Sequence, residues 1–122
     1  MGLVEFAWLL PVMVLLAMGA ISLSTALYNK LIMNQASRQA VRSWVVSKPV
    51  MSKDSVQTLA SSLCNDQIIS FGSSAVVCVP VATGPDLPVP GDVLTVSVSL
   101  NFTGLYLFSN LQISTQTSMK YE

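Results

Sequence analysis

The sequence predicts an α+β fold in which one long N-terminal α-helix packs on a small antiparallel β-sheet. Three observations predict it. Residues 6–29 contain no Asp, Glu, Lys or Arg, and a helical spacing of apolar residues continues beyond them to about Val46. Val93 to Phe102 and Leu111 to Tyr121 alternate apolar with polar residues, the pattern of half-buried antiparallel strands. The connections between these stretches are rich in Pro, Gly, Ser, Asn and Asp, which punctuate a small domain. A sheet with one apolar face must be covered, and the outer half of the helix is the only large cover available.

Composition narrows the functional classes. Only 10% of the 122 residues are charged, against roughly 25% in soluble globular proteins, and the apolar excess sits in the first thirty positions. Net charge is zero, so no overall field favours direct nucleic-acid binding. Histidine is absent, which removes the commonest general base and metal ligand; no cofactor, metal or enzymatic activity is expected. Cys64 and Cys78 both fall in the C-terminal half, as a disulfide or as two buried thiols. A bridge closing a loop of about 15 residues would contribute about 3 kcal/mol.

The chain divides at 1–29, 30–48 and 49–122. Residues 1–29 form an apolar helix of membrane-spanning length, with Glu5 as its single carboxylate. The acidic start and the absence of a basic n-region argue against a secretory signal peptide. Pro11 removes one helical hydrogen bond and crowds the carbonyl of Ala7, and with Gly19 it marks a kink or break. Residues 30–48 continue the helix amphipathically. Leu27, Leu31, Met33 or Asn34, Ala36, Ala40, Val41 and Trp44 fall on the expected inner face, with Lys30, Arg38 and Arg42 opposite. Ser47-Lys48-Pro49 ends it.

In residues 49–122, Ser52 caps a short helix over about Lys53 to Leu63, with Val56, Leu59, Ala60 and Leu63 on its apolar face. Gln67 to Phe71 and Ala75 to Val81 read as a hairpin through Gly72-Ser73-Ser74, with Pro80 confining the second run to an edge or bulge. Residues 83–92 read as a loop in which Asp86 and Asp92 are turn residues. Two longer strands complete a three- to four-stranded sheet.

Several segments resemble a known family. Leu3-Val4-Glu5-Phe6-Ala7, Leu9-Leu10-Pro11, Gly19 and Asn34-Gln35-Ala36-Ser37-Arg38-Gln39-Ala40-Val41-Arg42 are similar to the TadE-like pilins of tight-adherence systems, within the type IV (type IVb) pilins. The resemblance covers residues 2–42. It implies a pilin-like fold and a prepilin held in the bacterial inner membrane. It also implies a basic leader cut by a prepilin peptidase, usually with methylation of the new N-terminus. Met1 is then either the processed N-terminus or the initiator. The implied product is an extracellular filament, a homopolymer built with pilus assembly machinery, with Met1, Glu5 and Phe6 at the assembly end.

The cations that follow the apolar run, Lys30, Arg38, Arg42, Lys48 and Lys53, would by the positive-inside rule place the C-terminal domain in the cytoplasm. The paired cysteines and the Ser/Thr-rich strands favour the outside. Three readings follow: a filament subunit, a minor pilin or single-pass accessory protein of the same machine, and a tethered ligand-binding domain. Adhesion, aggregation, DNA uptake and conjugation are all roles such filaments serve.

Overall fold

A computed structural model describes residues 2–71, 76–104 and 109–122. Helix α1 (Gly2–Val46) is followed by α2 (Lys53–Asn65) and by strands β1 (Val79–Thr83), β2 (Val93–Phe102) and β3 (Leu111–Lys120). The strands form one antiparallel sheet in the order β1-β2-β3. The C-terminal half of α1 lies over β2 and β3, and α2 packs against α1 and β1. This is the expected α+β arrangement, a long helix backed by a small sheet.

The alternating strand pattern puts Leu94, Val96, Val98, Leu100 and Phe102 of β2 inward, all buried, opposite Ile113, Thr115 and Thr117 of β3. Trp44, Phe102, Met33 and Leu94 are the largest fully buried side chains. Trp44 meets Tyr121 edge to face at 5.5 Å between centroids. Helix α2 starts at Ser52, whose hydroxyl accepts a hydrogen bond from the Ser55 N–H, and it buries Val56, Ala60 and Cys64 along one face. Cys64 is joined to Cys78 in a disulfide, and Asn65 Oδ1 accepts from the Cys78 N–H at 2.9 Å. Asp92 is a turn residue: its carboxylate accepts from the Val89 N–H, beside Gly91 at φ 110.

Four details differ from the expectation. Gln67 to Phe71 is not a strand. Its backbone is taken instead by a side chain, because the buried Asn29 amide donates to Ile69 O at 2.7 Å and accepts from Ile69 N at 3.0 Å. That pair of bonds imitates one rung of a ladder and ties the segment to α1 rather than to the sheet. The proposed turn at 72–74, with Ala75, lies outside the described residues. Strand β1 begins only at Val79 and runs on to Thr83, as a sheet edge with Pro80 facing Val98.

The inner face of α1 also differs from the expected one at two positions. Leu27 and Leu31 are 61% and 54% exposed, while Ala26, Asn29, Met33, Ala36, Ser37 and Ala40 face the core. Small residues let the helix sit close to the sheet, and Ser37 reaches the Thr117 hydroxyl at 2.8 Å. Met33, Ala36, Ala40, Val41 and Trp44 are buried as expected, and only the two bulky leucines fall on the outer side of the helix. Finally, α1 runs unbroken through Pro11 and Gly19. One proline removes a single rung, and the hydrogen-bond ladder on either side suffices to carry the helix past it in the single chain.

Candidate assembly surface

Helix α1 carries two different surfaces along its 45 residues, a length of roughly 67 Å at 1.5 Å per residue. Its fully buried residues begin only at Ser22 and end at Trp44. Upstream of Ser22 the helix projects beyond the domain. Leu3, Phe6, Trp8, Leu9, Met13 and Leu16 are all more than half exposed. Only 6% of the most apolar 18-residue window is buried, so this is not the core helix of a soluble domain. It is long and apolar enough to cross a membrane.

Glu5 lies in the first turn, where the helix N-terminus favours an anion. With Val4, Trp8 and Leu9 it lines a shallow apolar concavity. Among the described residues the one ion pair is Lys53–Asp86 at 3.4 Å, so Glu5 has no cationic partner there. Met1, the expected counterpart of Glu5, lies outside the described residues. Phe6 is exposed beside it, and Gly19 is half-buried near the point where the helix meets the domain. Cys64 and Cys78 are far along the chain in the domain and belong to its packing, not to this surface.

The apolar exposure does not stop where the domain begins. Leu23, Leu27 and Leu31 form an exposed ridge at i, i+4 spacing beside the domain. Between this ridge and the start of β3 runs a groove of about 310 Å³, lined by Leu23, Ala26, Leu27, Lys30, Leu111 and Ile113 among others. The ridge was legible as an i, i+4 leucine series. Assigning Leu27 and Leu31 to the core concealed it.

Residues 1–42 match the family model for TadE-like proteins. The chain carries a TadE-like N-terminal segment. That segment spans the exposed apolar stretch and most of the inward-facing half of α1, and it associates the protein with a Tad pilus system. No curated protein and no solved structure matches the chain. The TadE-like match ends before α2, so the description of the C-terminal domain rests on its own geometry.

Proposed function

We propose that the chain is a structural, non-catalytic pilin subunit that polymerises through α1 into an extracellular type IV-like filament. One observation carries the reading: a TadE-like helix exposes about twenty uncharged apolar positions ending in a lone carboxylate, and among the described residues nothing covers them. In the inner membrane, before assembly, lipid covers that surface. In a filament, copies of the same helix do so. Prepilin peptidase and the pilus assembly machinery are the partners this route requires. The disulfide fits a domain displayed in an oxidising compartment.

An unpaired carboxylate in an apolar core costs on the order of several kcal/mol. Pairing Glu5 with the N-terminal amine of a neighbouring copy removes that cost only at one axial offset, as buried polar groups fix register in coiled coils. Glu5→Gln keeps the size and removes the charge. The expected result is membrane-resident, processed subunit at wild-type level, with filaments lost from the sheared surface fraction. Normal filament yield from Glu5→Gln would refute the register role.

The match is confined to the helix, which a minor pilin or a single-pass accessory protein of the same machine would share. Abundance decides between them. A filament subunit dominates the sheared fraction, and an accessory protein stays with the membrane.

A further inference from the structure

Helix α1 contains one acidic residue, Glu5, and its first cation is Lys30, 25 positions later. At 100° per residue that separation falls about 20° short of seven full turns, so both charges lie on nearly the same side of the rod, roughly 37 Å apart along it. Between them on that side Leu9, Val12, Leu16, Leu23 and Leu27 are all exposed. Lys30 is itself exposed and lines the groove between the Leu23–Leu27–Leu31 ridge and β3.

We propose that this groove and ridge seat the N-terminal turns of a second copy of the chain, held in parallel and displaced by about 25 residues, with the Glu5 of that copy beside Lys30. This rests on the reading that copies of α1 pack side by side. Charge complementarity selects the occupant. The incoming segment must be apolar to cover Leu27 and Leu31, and it must bring one anion to Lys30. The first turns of α1 have that composition.

At this offset Gly2 comes level with Leu27 and Phe6 with Leu31, so apolar surface meets apolar surface on both sides of the ion pair. Arg38 and Arg42 are less suitable partners, because their exposed neighbours are Gln35 and Gln39. A carboxylate has two oxygens and can accept from more than one donor. Glu5 can therefore face an N-terminal amine of one neighbour and Lys30 of another, since a rod in a helical array meets different copies at different axial steps.

The test uses the full chain expressed in its membrane with the assembly machinery, and a short bis-maleimide that leaves the Cys64–Cys78 disulfide untouched. Leu9→Cys/Asn34→Cys places thiols at matched levels near the facing side; Leu9→Cys/Leu23→Cys places them eleven residues, about 16 Å, out of step. A cross-linked ladder from the matched pair alone is expected. A ladder of equal strength from the mismatched pair, or no ladder while filaments form, overturns the seat. Lys30→Glu is expected to lower filament yield about tenfold or more by setting two carboxylates together, and Lys30→Arg to retain it. Wild-type yield from Lys30→Glu also overturns it. A matched ladder in membranes that yield no filaments supports the seat and removes the filament reading. Absence of both ladder and filaments removes both.

Discussion

Replacing Asn29 with Ala tests how the segment after α2 is held. Asn29 is fully buried, and its amide satisfies both the N–H and the C=O of Ile69, forty residues away. The truncation orphans two backbone groups, each worth about 1–3 kcal/mol when it loses its partner in the interior. Ile69 is 46% exposed, so water recovers part of this loss. A net destabilisation of about 2–3 kcal/mol follows, which for a domain of this size lowers Tm by roughly 10–20 °C. The measurement is a thermal melt of the full chain in detergent micelles, followed by near-UV circular dichroism and by Trp44 emission in a Trp8→Phe background. Asn29→Asp keeps the acceptor for Ile69 N–H but turns a carboxylate oxygen towards Ile69 C=O, and is expected to melt at least as low. Thr25→Ala removes an exposed hydroxyl bonded only to Ile21 O and serves as the control, within about 0.5 kcal/mol of wild type. If Asn29→Ala melts within about 2 °C of wild type, the side-chain rung is not what holds the segment.

Three further outcomes are expected from the domain. Cys64→Ser/Cys78→Ser, which opens a loop of sequence separation 14, should cost about 3 kcal/mol in the same melt, and a reducing agent should reproduce the loss in the wild-type chain. Gly84→Ala would place a Cβ 2.9 Å from Leu94 Cδ1 and 3.1 Å from Val93 O; because the second neighbour is backbone, a loss of about 1–3 kcal/mol is expected. Lys53→Ala breaks a surface ion pair whose Asp86 side is 69% exposed, and a change below about 0.5 kcal/mol in a denaturant or thermal titration is expected.

The long helix and the two long strands were legible because each obeys a single period over many residues. Val93–Phe102 matches the alternating run residue for residue, since a strand buried on one face must place an apolar residue at every second position. The Ser52 cap was legible for a similarly local reason, a hydroxyl three residues before the N–H it accepts from. Segment 67–71 defeated the same reasoning. Its Ile68, Ile69 and Phe71 have strand-like composition, but the partner of Ile69 is an Asn forty residues upstream, and no local pattern encodes a contact of that range.

The assembly surface divides in the same way. The sequence alone determined that a charge-free rod begins with Glu5, that it outlasts a bilayer core, and that it resembles a TadE-like segment over residues 2–42. Those properties follow from composition and helical rise. Only the tertiary structure decided which side of the rod the domain occupies. Helical periodicity fixes which residues share a face, but not which of two apolar faces is covered. The sheet takes the face with the small residues Ala26, Ala36 and Ala40, because it can approach the backbone closely there. That choice leaves Leu23, Leu27 and Leu31 outside, in line with the Glu5 end of the helix, and brings Lys30 into a groove.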